Sequence, residues 1–120
     1  MSMFSLFFLL LCGHAVADFA LQSEFIAANK SRHNIPKGYD PVRHGPMQMI
    51  WPYVLGAHAL IHAAAVFVIT QSATCAVIEA ASHALIDFGK CEKKYGIHAD
   101  QAMHIALKAC YAIYLSGGFS

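Results

Sequence analysis

Four long apolar runs, at about residues 3–28, 47–70, 73–90 and 97–116, divide the chain, with polar stretches between them. Each is long enough to form a helix that crosses a bilayer. Within the runs, polar side chains recur four residues apart. The segment GAHALIHAAA, residues 56–65, sets His58 and His62 at that spacing in an otherwise unbroken apolar sequence. His14 with Asp18, His83 with Asp87, and Asp100 with His104 repeat it. Residues i and i+4 of a helix share one face, about one turn apart. The pattern therefore predicts four apolar helices, each presenting one pair of metal-ligand-type side chains. Polar groups at membrane depth cost free energy unless they find partners, and pairs on four helices can partner one another.

The intervening segments fit that reading. Residues 29–46 carry Lys30, Arg32, Lys37 and Arg43, and Pro36, Gly38, Pro41, Gly45 and Pro46 make them an irregular loop. Trp51 and Tyr53 stand near the start of the second helix, where amphipathic rings favour a membrane interface. Pro52 falls in its first turn, where a missing N–H does little harm. Residues 71–74 supply an uncharged turn, and Lys90, Glu92, Lys93 and Lys94 mark a polar loop before Gly96. Gly117 and Gly118 end the last run. Seven of the eight Lys and Arg side chains lie in the first and third connections. By the positive-inside rule both of these loops, 29–46 included, are cytoplasmic and both termini face outward. The expected fold is all-α: one integral membrane four-helix bundle over residues 1–120. A cleavable signal is the rival for the first run, since Ala15-Val16-Ala17 has the A-x-A form. No Lys or Arg precedes residue 30, and the apolar pattern continues through Phe19, Leu21, Phe25 and Ile26, so a retained helix is expected.

Composition agrees: 58% of residues are hydrophobic and 12% charged, against roughly 25% charged in soluble chains. Membrane lipids are the partners this implies. A net charge of +1, with basic residues not interleaved with aromatics, gives no footprint for nucleic acid. Cys12, Cys75, Cys91 and Cys110 show no paired spacing. The first, second and fourth lie in apolar runs and read as small hydrophobes, while Cys91 sits one turn beyond Asp87. His33, His44 and His98 lie in or beside loops and read as surface residues. Four short helices make a thin core, open to homodimerisation, although no G-x-x-x-G motif supports it.

With that topology the four pairs converge in the cytoplasmic half of the membrane. Imidazole and carboxylate are ligands of zinc and, with more oxygen donors, of manganese or iron. Bundle cores build such sites from facing helices. His14, His58, His62 and His83 are the first-choice ligands, with His104 a further ligand or proton shuttle. This surplus over one tetrahedral zinc suggests either two metals or one metal with a general base, with Asp18, Asp87 and Asp100 as ligands or bases and Gln22 and Gln101 as donors to a developing oxyanion. Lys30 and Lys90 read as interfacial anchors or as binders of a headgroup. Glu79 and Lys108 fall at similar depth and are expected to pair. The chemistry these residues suit is metal-dependent hydrolysis of a lipid-linked ester, phosphoester or amide. A metal or proton transporter would use the same ligands, but the outer halves (residues 4–11, 66–69 and 111–115) are nearly all apolar, which disfavours a conduit. A non-catalytic membrane partner, whose network only packs helices, is the third class.

The strings HAVADFALQ with Lys30, HALIH, SHALIDFGK and DQAMH, in that order, resemble the small inner-membrane family of bacteria and phages called domain of unknown function 3307. More distantly, the chain resembles the predicted membrane-bound metal-dependent hydrolases. The resemblance implies a bacterial inner-membrane protein, encoded by a bacterium or a phage. Its polar positions would be His14, Asp18, Gln22, Lys30, His58, His62, His83, Asp87, Lys90, Asp100, Gln101 and His104. It also implies a retained first helix, because the A-x-A site would cut between His14 and Asp18. It supplies no activity.

Overall fold

The computed structural model describes residues 1–35 and 38–117. Pro36 and Lys37 of the basic loop and Gly118 after the last helix lie outside the described residues. All the regular structure described is helical: α1 (Met3–Ala15), a π-helical turn (Val16–Ala20), α2 (Glu24–Asn29), α3 (Pro41–His44), α4 (Trp51–Thr70), α5 (Ala73–Cys91) and α6 (Ile97–Leu115).

The first apolar run is not one helix to residue 28. It widens into the π-turn, where the Leu21 N–H reaches back to Val16 O at 2.9 Å, and then breaks. Ser23 restarts the chain by accepting from the Ile26 N–H at 3.2 Å, with Glu24 in the first turn. These are N-cap signals that an apolar pattern alone does not register. Residues 47–50 are likewise not helical, and α4 begins at Trp51 with Pro52 in its first turn. Gln71 closes α4 in the left-handed region (φ 55°), and Ser72 caps α5 by accepting from the Cys75 N–H. That two-residue link makes α4 and α5 antiparallel neighbours, and theirs is the most extensive helix contact. Helix α1 packs on α4 and α6, and α5 packs on α6. Its approach to α4 is close at Gly13, where a Cβ would stand 2.8 Å from Ile69 Cδ1.

The interior is divided along the bundle. At the end holding the α4–α5 turn, Leu6, Leu10, Val66, Cys75, Tyr111 and Ala112 form an apolar cluster. Beyond it the core turns polar: among the described residues, eleven buried polar or charged side chains face eleven buried apolar ones. Outward faces show the reverse. Phe4, Phe8, Val16, Leu60, Val68, Val77, Leu85, Ile105 and Tyr114 are all exposed. Cys12 and Cys110 belong to this outer face rather than to the core expected for them, while Cys75 is buried. Two helical stretches, Met3–Ala20 and Trp51–Thr70, are long and apolar enough to cross a membrane. The mean hydropathy of each is 1.8.

Candidate metal centre

Helical spacing delivers each stripe to the bundle axis. Helix α4 supplies His58 and His62, α5 supplies Glu79, His83 and Asp87, and α6 supplies Asp100, His104 and Lys108. His14 comes from the last turn of α1 and Asp18 from the π-turn. Such local widenings of a helix often mark functional sites.

The convergence is tightest around Asp18. Its Oδ1 accepts from His62 Nε2 at 3.1 Å and lies 3.3 Å from His58 Nε2. Ligand-type atoms of Asp18, His58, His62 and His83 all fall within 4.8 Å of one another. The rings are ordered: His62 stacks on His83 with centroids 3.6 Å apart, His83 on His104 at 4.2 Å, and His58 stands edge-on to His62 and His83. Both ring nitrogens of His58 and of His83 are buried without a hydrogen-bond partner. A buried polar atom in that state costs about 1–3 kcal/mol. The spacings suit another kind of partner. A tetrahedral zinc with bonds of about 2.0–2.1 Å has ligand-to-ligand edges of about 3.3–3.4 Å. Three imidazoles and one carboxylate, with the His58 and His62 edges to Asp18 at 3.3 and 3.1 Å, are a fitting donor set for a divalent ion.

His14, a first-choice ligand from sequence, stands outside this set. Its Nε2–H donates to Gln101 Oε1 at 2.9 Å, and Gln101 Nε2 in turn donates to Asp18 Oδ2 at 2.8 Å and Asp100 Oδ2 at 3.2 Å. Gln101 thus ties α6 to α1 and orients the Asp18 carboxylate. Asp87 lies beside the set, with Oδ2 3.4 Å from His58 Nε2 and 3.6 Å from His83 Nε2, and Oδ1 3.4 Å from His104 Nε2. Lys30, at the end of α2, is buried rather than interfacial, and its Nζ donates to Asp87 Oδ2 (2.8 Å) and Gln22 Oε1 (2.7 Å). Gln22 Nε2 donates to the Asp18 carbonyl at 3.2 Å. Lys90 is partly exposed, 3.8 Å from Asp100 Oδ2.

One turn beyond His83, Lys108 Nζ donates to Glu79 Oε1 at 2.5 Å and the Tyr111 hydroxyl donates to Glu79 Oε2 at 3.0 Å. Sequence reasoning left Tyr111 out. It continues the α6 stripe of Asp100, His104 and Lys108 at helical spacing, and that signal would have found it. Three of the four buried carboxylates, Glu79, Asp87 and Asp100, have a lysine within 4 Å. Among the described residues Asp18 has none; its partners are histidines and Gln101.

Outside the core, Arg32 and His33 close the long loop onto Glu92, at 2.5 and 3.0 Å. The hydrogen bonds from Arg32 and then His33 hold the Glu92 carboxyl down at about 2, and the same pairing raises the Arg32 guanidinium. His33, His44 and His98 are exposed, and Cys91 is half-buried at the end of α5.

A family profile described as "Protein of unknown function (DUF3307)" matches residues 6–116, and the chain belongs to that family. No curated protein and no solved structure matches it.

Proposed function

We propose that this member of the DUF3307 family is a four-helix protein of the bacterial inner membrane, with both termini outside. In this reading it binds a divalent metal through Asp18, His58, His62 and His83. With that ion it hydrolyses a lipid-linked ester, phosphoester or amide reached from the cytoplasmic leaflet.

The membrane part rests on the inverted distribution of polarity. Helices α5 and α6 carry charges, yet Glu79, Asp87, Asp100 and Lys108 are all buried between helices. Their exposed positions include Val77, Ile78, Leu85, Ile105 and Tyr114. Nineteen residues each give helices of about 28 Å, close to the hydrocarbon thickness of about 30 Å. The two most apolar helical stretches bury only 22% and 33% of their residues inside the bundle, whereas the core helix of a soluble domain would bury most of its own. With α1, α4, α5 and α6 spanning, the basic loops fall on one side, as the positive-inside rule requires.

The observation that carries the metal reading is the group of buried imidazoles, His58, His62 and His83, gathered at the one buried carboxylate that no lysine among the described residues neutralises. Zinc suits three imidazoles and a carboxylate best, with manganese and iron as alternatives. A bound divalent ion would lower the pKa of a coordinated water towards neutrality and polarise the scissile group. The chain's own residues do the rest. Asp18 holds the ion and is itself held by Gln101. Asp87, 3.4 Å from His104 Nε2, forms with it a carboxylate–imidazole pair able to take a proton. Lys30 Nζ, bonded to Asp87 and Gln22, is placed to bind an anionic group of the substrate. Entry would be at the break after the π-turn, which packs on α4 and meets α6 through the Gln101–Asp18 hydrogen bond. Gln22 and Gln101, both half-buried, flank that break.

A conduit is disfavoured because the polar column ends against Leu6, Leu10, Val66 and Ala112. A network serving only as helix glue would be loosely made, since the carboxylate contacts of His58 and His83 are 3.3–3.6 Å long and His58 Nδ1 is buried without a hydrogen bond. The test is elemental analysis of detergent-purified protein beside a His58→Ala/His62→Ala double variant. Stoichiometric zinc, manganese or iron that disappears in the variant is expected. No metal in either sample, both folded and resupplied with metal, would overturn the reading.

A further inference from the structure

Asp87 is shared between two groups of buried donor atoms. Its Oδ2 faces His58 and His83 of the group just described, while its Oδ1 faces His104, whose Nε2 is also 3.5 Å from Asp100 Oδ1. Asp87, Asp100 and His104 form a second convergent set, with one ligand-type atom from each lying within 4.8 Å of the others. These side chains are 2%, 1% and 0% exposed. Asp100 Oδ1 is buried without a hydrogen-bond partner, although a carboxylate has sites for several.

The distances separate two kinds of contact. The two buried lysines make short ion pairs, 2.5 Å for Lys108 with Glu79 and 2.8 Å for Lys30 with Asp87, while the partly exposed Lys90 stands 3.8 Å from Asp100. Contacts of His104 with its two carboxylates are 3.4 and 3.5 Å. A charge-assisted N–H···O bond should be about 2.7–2.9 Å, so these are long for a histidinium held by two acids. They match the edge of a tetrahedron of ligands around one ion, about 3.3–3.4 Å for bonds near 2.0–2.1 Å. Lys30 engages Oδ2 of Asp87 and leaves Oδ1 for the second group. Glu79, bonded to Lys108 and Tyr111 and with its Oε1 3.4 Å from His83 Nδ1, forms a further overlapping group with His83 and His104.

We infer that Asp87, Asp100 and His104 bind a second divalent cation, with Asp87 bridging it to the ion held by Asp18, His58, His62 and His83. Two carboxylates and one imidazole are an oxygen-rich donor set, which suits Mn²⁺ or Fe²⁺ better than zinc. Paired ions about 3.5–4 Å apart serve in-line displacement at phosphorus, clamping the attacking and leaving oxygens. Within the substrate range proposed above, the second ion therefore selects the phosphoester. The inference rests on the metal-binding reading and makes Asp87 and His104 ligands in place of a proton-accepting pair.

The experiment is a Mn²⁺ titration of metal-stripped, detergent-purified full-length protein, followed by elemental analysis and electron paramagnetic resonance. Two Mn²⁺ per chain with spin-coupled signals are expected in the wild type. An Asp100→Asn/His104→Gln variant should keep one Mn²⁺ and give an uncoupled spectrum. Wild-type protein saturating at one uncoupled ion, or a variant that still holds two, would overturn the second site and leave the first standing. No Mn²⁺, and no zinc in a parallel titration, would overturn both. The wild-type spectrum needs no variant, and Asp100→Asn alone, nearly isosteric, serves if the double variant does not fold by circular dichroism.

Discussion

Replacing Lys108 with methionine keeps the length and apolar stem of the side chain and removes only the ammonium. In the folded chain that ammonium lies 2.5 Å from Glu79 Oε1, and the two side chains are 1% and 0% exposed. Glu79 would be left as a buried carboxylate bonded to Tyr111 at 3.0 Å, with His83 Nδ1 3.4 Å away. Breaking a buried pair by removing one partner costs about 3–5 kcal/mol, because the survivor is an uncompensated charge. Glu79→Gln alone should cost a similar amount by stranding Lys108. The double variant removes both charges while the Gln oxygen still accepts from Tyr111, so its loss should be only about 1–2 kcal/mol, the scale of one net hydrogen bond. The two changes should thus be strongly non-additive, with an interaction of at least about 2 kcal/mol. Unfolding by sodium dodecyl sulfate in mixed micelles, followed by far-ultraviolet circular dichroism, measures all three variants. Additive losses, or single variants each within about 1 kcal/mol of wild type, would refute the claim that this pair is buried and mutually dependent.

The outward faces make a second test. Cys12 and Cys110 are exposed on the outer surface. In native membranes they should react with an apolar maleimide and resist a water-soluble one, and equal labelling by both would place those faces in water. Leu85→Lys on the same kind of surface, 73% exposed, should lower stability by about 2.5–3.5 kcal/mol in a bilayer; an unchanged unfolding midpoint would contradict lipid contact. The loop pin gives a pH prediction. The Glu92 carboxyl is held at about 2 against 4.5 when free, by Arg32 and His33. Its contribution is fully present above about pH 4.5 and is lost as pH falls through about 2. A ¹³C-carboxyl titration of Glu92 with its midpoint near 4.5 would show that the pin does not form.

What the sequence made legible was periodic. The i,i+4 pairs and the apolar runs named α4, α5 and α6 and gave the stripes that turn inward, because helical geometry fixes which residues share a face. It could not say which stripe members would meet. The sequence ranks His14 ahead of Asp18 as a ligand, but the π-turn after α1 carries Asp18 to His58 and His62 while Gln101 holds His14 aside. A widened turn adds a residue to the helical count and has no signature in hydrophobicity. Lys30 shows the same limit. An apolar run followed by a lysine reads as a helix ending at an interface, yet the Ser23 cap restarts the chain so that Lys30 reaches Asp87. Only the break after residue 20 makes that contact possible, and its signal was the polar trio Gln22, Ser23 and Glu24 inside an otherwise apolar stretch. The departures from regular helix are thus the features that shape the centre. Asp18 and Lys30, on either side of that break, become the carboxylate that no lysine among the described residues meets and the buried lysine bonded to Asp87. That arrangement would leave a bound divalent ion with net positive charge facing an incoming anion.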